Sequence, residues 1–544
     1  MSLLIGIDVG TGSARAGVFT SDGTLLASHE RPIQMWRPRP DWAQQSSADI
    51  WSAVCGSVRA AIATAGAAAS DVAGIGFDAT CSLVVSGEGG QPVAVGPEDD
   101  ADANQDVIVW MDHRATGDAE EINRIGGAPL AHVGGVISPE MQLPKLRWLQ
   151  REKPESWNSA TRFWDLPDWL THRATGAEAR SLCSAVCKWT YMGHLGAEGE
   201  GWDDAFLHAV GLSDLTGSGH ERIGTQFKTP GSLAGHLTER AAAEMGLAPG
   251  TPVATSLIDA HAGAIGTLGA GEAETGGRLA VIAGTSTCHI ALADEAAFVP
   301  GVWGPYYGAV TEGKWCLEGG QSAAGALIDA ILARHGAVAD LRKEAQGSGE
   351  SLFDRLDAEL DLMAAGSEMA ELTAYRHIQP DIHGNRSPLA DPRRRAGIDG
   401  LTLETGPTDA ALDYLATLQA LGYGTRHILE TMRTNGVEID TLVVSGGMAR
   451  NQLFLRELSD ATGCSVLVPD TPEPVLLGSA ILGGVAADLF ADATSAMRTL
   501  APGAATVRPR ASVAEYHSRK YNVFRRMQDD HAAYERIMTL NGEA

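Results

Sequence analysis

Leu3-Leu4-Ile5-Gly6-Ile7-Asp8-Val9-Gly10-Thr11-Gly12-Ser13-Ala14-Arg15-Ala16-Gly17-Val18-Phe19 is an apolar run that stops at an aspartate, turns through glycines and hydroxyls, and runs apolar again. The pattern predicts a buried strand, a tight turn and a returning strand. Gly10 and Gly12 leave backbone N–H groups uncovered, so an anion can approach closely. Thr11 and Ser13 add hydroxyl donors, and Arg15 adds a fixed positive charge. Asp8, at the end of the strand, is a candidate to hold a divalent cation directly or through water. Together these are the parts of a site for a nucleotide's phosphates and metal. The plain alternative is a β-hairpin that needs glycine only for its turn, and the hairpin alone does not choose between the two.

Two phosphate motifs are excluded. Position 15 is Arg, so the third glycine of G-x-G-x-x-G is missing. No G-x-x-x-x-G-K-[ST] occurs anywhere in the chain.

With 544 residues the chain is too long for one core, and two large domains are expected. Apolar content of 44% and charged content of 20% suit a globular protein. A net charge of −27 with no compensating basic stretch argues against nucleic acid or an anionic membrane surface as partner. Arg393-Arg394-Arg395 reads as a solvated turn, and the acidic run Glu98-Asp99-Asp100-Ala101-Asp102 as an exposed loop. Seven scattered cysteines give no disulfide framework. Cys183 and Cys187 are spaced to share a helix face, but no second Cys/His pair lies nearby, so they are expected to be two buried small residues and not a zinc site. No secretory leader or long apolar run is seen, and the expectation is a cytoplasmic protein.

Outward from the hairpin, Thr24–Glu30 is expected as a third strand and residues 46–69 as a helix with apolar positions 50, 54, 58 and 62. Val72–Phe77 follows as a short buried strand, giving half of a mixed sheet with the phosphate turn at its edge. Residues 105–191 read as helices and loops hung on this first domain. Pro252–Leu257 is a strand leading into Ile258-Asp259-Ala260-His261-Ala262-Gly263, and the small residues from Gly263 to Gly271 suit a closely packed helix.

The opening pattern then recurs. Leu279–Ala283 is apolar, Gly284-Thr285-Ser286-Thr287 is a glycine/hydroxyl turn, and Cys288–Leu292 is apolar again. Two such turns, each opening a long α/β segment, argue for a duplicated architecture with one nucleotide between the halves. Glu318-Gly319-Gly320-Gln321-Ser322-Ala323-Ala324-Gly325 is expected to open a helix whose free N–H groups and glycines meet ligand. A long helix over about 407–435, a strand at Thr441–Val444, a turn at Ser445–Asn451, a helix over 449–462, a strand at Val466–Val468 and a Gly/Ala-rich helix from about 474 complete the repeat. Residues 511–538 form a late amphipathic helix.

The turns Asp8–Arg15, Gly284–Thr287 and Ser445-Gly446-Gly447-Met448-Ala449-Arg450-Asn451 resemble, in kind, order and spacing, the actin-like ATPase superfamily and within it the FGGY carbohydrate kinases. The resemblance covers nearly the whole chain. It implies an α/β fold of two ribonuclease-H-like domains facing a central cleft, with residues 1–275 binding mainly sugar and residues 276–544 mainly ATP. It implies ATP and Mg²⁺ as cofactors, with Asp8 organising the metal and Asp259 also beside it. It places Gly10, Thr11, Gly12, Ser13, Arg15, Gly284 and Thr285 on the phosphates. Gly446, Gly447 and Asn451 border the adenosine, and Gln321 and Gly325 complete the nucleotide-binding set.

In that family the aspartate matching Asp259 is the general base, because phosphoryl transfer needs a carboxylate to accept the proton of the sugar hydroxyl. Thr80-Cys81-Ser82-Leu83-Val84 looks like the Thr-Cys-Ser-Leu-Val motif of D-ribulokinase-type members. Lys188 and Glu318 sit where ribulokinases place a sugar-contacting lysine and carboxylate. The expected substrate is therefore D-ribulose, with L-ribulose, xylulose, a tetritol or glycerol as rivals in chemistry. A non-catalytic or chaperone-like ATPase is the rival from another class. The expected partners are the small-molecule sugar and ATP, with a homodimer as the candidate assembly. Asp381–Pro388 looks like the family's second-domain loop, and its role is left open.

Overall fold

A computed structural model describes residues 2–97, 102, 104–271 and 276–538. The expected acidic loop falls mostly outside these residues, and so do residues 272–275, where the first domain was expected to end.

The opening run forms the strand Leu3–Val9, wholly buried along its length, and it returns as Ser13–Thr20. Leu3–Val9 is central: it pairs antiparallel with Ser13–Thr20 on one side and parallel with Val72–Ala79 on the other. Leu25–Pro32 lies outside Ser13–Thr20, and Pro252–Ala254 then Leu233–His236 lie beyond Val72–Ala79. The phosphate turn therefore sits at the end of the middle strand and not at the sheet's edge, as expected from sequence. The helix Ser47–Ala65 is N-capped by Ser46 and buries Ile50, Val54, Val58 and Ile62, the predicted stripe.

The second sheet repeats the first. Arg278–Ala283 pairs antiparallel with Thr287–Ala293 and parallel with Thr441–Ser445, which pairs parallel with Ser465–Pro469. Trp315–Gln321 lies outside Thr287–Ala293, and Ala504–Val507 closes the far edge. Glu318 to Gln321 thus belong to a strand, with the helix beginning only at Gly325, because the pairing with Thr287–Ala293 outweighs any local preference. Residues 105–191 also differ from expectation. They supply two of the four strands of a small sheet, Gln44–Gln45, Val107–Ile108, Leu83–Ser86 and Arg162–Asp165, built on the Thr80–Val84 segment.

The two halves exchange helices. Pro474–Ala486 lies on the first sheet, where glycines at 6, 74 and 76 admit its backbone: a Cβ on Gly6 would fall 1.9 Å from the carbonyl oxygen of Leu476. Asp259–Leu268 lies on the second sheet, with Gly263 against Ile282. The small residues predicted to pack closely do so, against the opposite half. The long helix Pro407–Thr434 covers the second sheet, and Ala514–Met538 packs its Tyr521 and Phe524 against Tyr423. No helix of the described residues is long and apolar enough to cross a membrane.

Candidate active site

The two glycine turns close in the same way. Gly10 N–H donates to the Ser13 carbonyl at 3.0 Å, and Gly284 N–H donates to the Ser286 carbonyl at 2.9 Å. Gly10, Gly12 and Gly284 do not adopt the left-handed conformation, and a Cβ on any of them would meet nothing closer than 3.8 Å. Neither backbone conformation nor packing demands glycine there; what its absence of a side chain leaves is room for a ligand to approach the backbone. Gly447 is equally open. Gly446 differs: its φ is +88°, and a Cβ would lie 2.4 Å from the Ala283 carbonyl, so it seats the third turn on the end of the central strand.

Other residues of these turns are engaged within the protein. The Thr11 hydroxyl accepts from the Trp110 indole N–H at 3.0 Å. Arg15 donates to Asp8 through Nε at 3.0 Å and to Glu473, at the head of Pro474–Ala486, at 3.0 Å. Its charge is thus matched by two carboxylates, one from each half. The amides of Ala324, Gly325 and Ala326, expected to be free, donate to the carbonyls of Gly284 and Thr285 at 2.8–3.2 Å and fix the second turn. Gln321 Nε2 donates to the Leu421 carbonyl and the Thr425 hydroxyl. Asn451 caps the helix Gln452–Thr462 through Phe454 N–H and donates to the Tyr414 hydroxyl at 2.6 Å.

Beside the first turn, carboxylates from three chain segments converge. Asp8 and Asp78 are register partners on adjacent parallel strands. Asp259 is the first residue of the helix Asp259–Leu268, where its Oδ1 accepts from Ala260 N–H at 2.7 Å. Burial, then the charge of Asp8, pushes Asp259 up to about 6. The same two causes drive Asp78 well above the usual carboxylate range. Asp78 is wholly buried; Ser479 donates to one of its oxygens and the other has no protein partner. This oxygen-only set with an orphaned acceptor fits Mg²⁺ held through water. Among the described residues the three carboxylates do not close into a direct cage.

The candidate sugar residues come together next to Asp259. Burial works against the Lys188 charge, but Cys81, Glu318, Cys187 and Glu140 outweigh it and keep the ammonium firmly protonated. Burial raises the Cys81 thiol to about 12, against the pull of Lys188. Ser82 Oγ accepts from Trp110 N–H at 3.2 Å and lies 3.2 Å from the Thr80 hydroxyl. Glu318 is buried, and its Oε2 has no hydrogen-bond donor. In this structure the turn at Thr80–Ser82 is itself tight, with Ser82 N–H donating to the Thr80 carbonyl at 2.8 Å.

Several residues here escaped sequence reasoning. Lys188 Nζ stands 4.7 Å from the centre of the Trp303 ring and the Arg386 guanidinium 5.6 Å from it, so two cations flank one indole. Arg386 belongs to the Asp381–Pro388 loop, and its fixed positive charge in that segment was the available signal. Glu140 is held down to about 2: burial would raise it, but His113, Arg386 and Lys188 prevail. Lys145, buried, donates to the carbonyls of Trp110 and Glu140. The pair Cys183 and Cys187 is buried as expected, but His261 lies against it, a neighbour 74 residues from Cys187.

The arrangement therefore offers two open turns, a set of buried carboxylates, and a buried ammonium and carboxylate at Lys188 and Glu318. Comparison with known proteins gives the same direction. The N-terminal-domain profile of the FGGY family of carbohydrate kinases matches residues 3–266, and the C-terminal-domain profile matches residues 279–487. An FGGY carbohydrate kinase domain-containing protein of Xenopus laevis is 43% identical over 98% of this chain and 98% of its own. A D-ribulokinase of Saccharomyces cerevisiae is 41% identical over 91% of this chain and 73% of its own. A xylulose kinase of Rhodospirillum rubrum superposes with a TM-score of 0.78 over 98% of this chain and 99% of its own, at 20% identity, a likeness of fold.

Proposed function

The chain belongs to the FGGY family of carbohydrate kinases, phosphotransferases with an alcohol group as acceptor, and from that premise we propose that it phosphorylates the terminal hydroxyl of D-ribulose with ATP to give D-ribulose 5-phosphate. The observation that supports this reading is the buried Lys188, within electrostatic reach of Cys81 and Glu318 on one side and of Asp259 on the other. The yeast D-ribulokinase, at 41% identity, favours the ketopentose over other acceptors.

Asp259 is the general base. With its carboxyl raised to about 6 it is ionised at neutral pH yet basic enough to take a hydroxyl proton as the phosphoryl group departs. Lys188 and Glu318 orient the sugar by hydrogen bonds to its hydroxyls, a charged donor and a charged acceptor on one small molecule. Gly10, Gly12 and Gly284 give the phosphates access to backbone N–H groups, while Gly446, Gly447 and Asn451 border the adenosine. Asp8, with Asp259 beside it, would hold Mg²⁺ through water, and that ion would neutralise charge on the transferring phosphoryl group. The Arg15 ion pair steadies Asp8 so that its carboxylate keeps one orientation. Residues 1–275 and 276–544 act as the sugar-binding and nucleotide-binding halves.

A panel of D-ribulose, L-ribulose, xylulose, tetritols and glycerol in an ADP-coupled assay tests the reading. D-ribulose is expected to have the highest kcat/KM. A preference for any other member of the panel overturns the substrate while leaving the kinase.

A further inference from the structure

The short helix Leu182–Lys188, which presents Lys188 to the sugar side, carries Cys183 and Cys187 one turn apart. Both sulfurs lie against His261, in the first turn of the helix that begins at Asp259. Cys187 Sγ and His261 Nε2 are 3.7 Å apart, and the three ligand atoms all lie within 4.8 Å of one another. All three residues are fully buried. His261 Nδ1 has no hydrogen-bond partner, and its Nε2 faces sulfur and, at 4.0 Å, the Glu318 carboxylate. A buried imidazole so poorly matched by protein donors and acceptors calls for another partner.

We propose that Cys183, Cys187 and His261 bind a thiophilic divalent cation, Zn²⁺ in class. A tetrahedral zinc holds thiolate at about 2.3 Å and imidazole at about 2.0 Å, which sets neighbouring donors roughly 3.5 Å apart, close to the spacing seen here. The cation ties the helix bearing Lys188 to the helix beginning at Asp259, so it positions the site without touching sugar or nucleotide. It is distinct from the Mg²⁺ that hard oxygen donors would hold.

The test uses the full chain, made without a polyhistidine tag, supplied with Zn²⁺ and dialysed, with its metal measured by plasma mass spectrometry. About one zinc per chain is expected. Cys183→Ser and Cys187→Ser should each retain at least roughly tenfold less, while Cys55→Ser, at a buried cysteine elsewhere, keeps it. Because a buried-cysteine variant can fail to fold, wild-type chain loaded with Co²⁺ gives a second readout, a thiolate-to-cobalt charge-transfer band with the d–d absorption of a tetrahedral site. Wild-type chain that keeps no zinc and shows no such band overturns the proposal, and so does zinc kept equally by the Cys183 and Cys187 variants.

Discussion

Gly266 and Gly478 meet where the two exchanged helices cross: a Cβ on Gly266 would fall 1.9 Å from the Pro474 carbonyl oxygen, and one on Gly478 1.9 Å from that of Ala262. Each obstacle is backbone, which cannot swing aside. Gly478→Ala should therefore force the helices apart and cost roughly 3 kcal/mol or more, beyond the usual penalty of an overpacked core. Chemical denaturation checks this, and an unchanged midpoint would contradict the crossing.

Gly12 and Gly447 are the counter-case, since a side chain at either would meet no protein atom within 4 Å. Gly12→Val and Gly447→Val are expected to leave the melting temperature unchanged within about a degree, because surface changes alter stability by only about 0.5 kcal/mol. KM for ATP should rise by tenfold or more, on the order of one lost charge-assisted hydrogen bond. Thermal melts and initial-rate kinetics on the same preparations separate the two effects.

Asp259→Asn keeps the size of the side chain and removes the base. Turnover should fall by roughly 10² to 10⁴, the usual contribution of general base catalysis, with ATP affinity retained. Isothermal titration with ATP and a steady-state assay decide it; wild-type kcat in the variant would exclude the assigned role.

The wild-type pH profile follows from the same group. Asp259 must be ionised to accept the proton, and its carboxyl is raised to about 6. Activity should therefore be full at neutral pH and fall tenfold per unit below about 6, a limb that sits well above the ordinary carboxylate range near 4. A kcat/KM profile between pH 5 and 8 is the measurement.

Asp78 makes a prediction of opposite sign about stability. Its folded-state pKa is raised, so the folded protein holds a proton there that the unfolded chain releases. The stabilising contribution is complete below the unfolded value and is lost as pH rises towards the folded one. Asp78→Asn should thus gain stability relative to wild type as pH climbs above about 4. Denaturation midpoints at several pH values test it, and a constant difference would rule it out.

Lys188→Met removes a buried cation that Glu318 and Glu140 surround. KM for the sugar should rise roughly 10- to 100-fold with KM for ATP unchanged, the scale of a lost charged hydrogen bond.

How much of this was written legibly in the sequence follows from the range of the forces involved. The strands Leu3–Val9 and Arg278–Ala283 and the helix Ser47–Ala65 announce themselves because apolar periodicity and a serine cap are local signals. The strand at Glu318 was hidden because its state is set by a partner strand about thirty residues away, and glycines beside it imitate a helix start. Gly263 and Gly266 signalled close packing but not against what, since composition carries no address. Cys183 and Cys187 have no second Cys/His pair near them in sequence, and His261 reaches them only through the tertiary fold. Arg386 and Trp303 come from loop and strand in different segments, so no spacing rule joins them.

The exchanged helices have a consequence for how this enzyme can be taken apart. One face of each sheet is covered by a helix from the other half, so neither half carries a complete core of its own. Cut between the halves and expressed separately, the two fragments should each be insoluble or molten, and should regain kinase activity only when produced together. Such a pair would report on proximity: fused to two interacting proteins, the fragments would restore the enzyme only where their carriers meet.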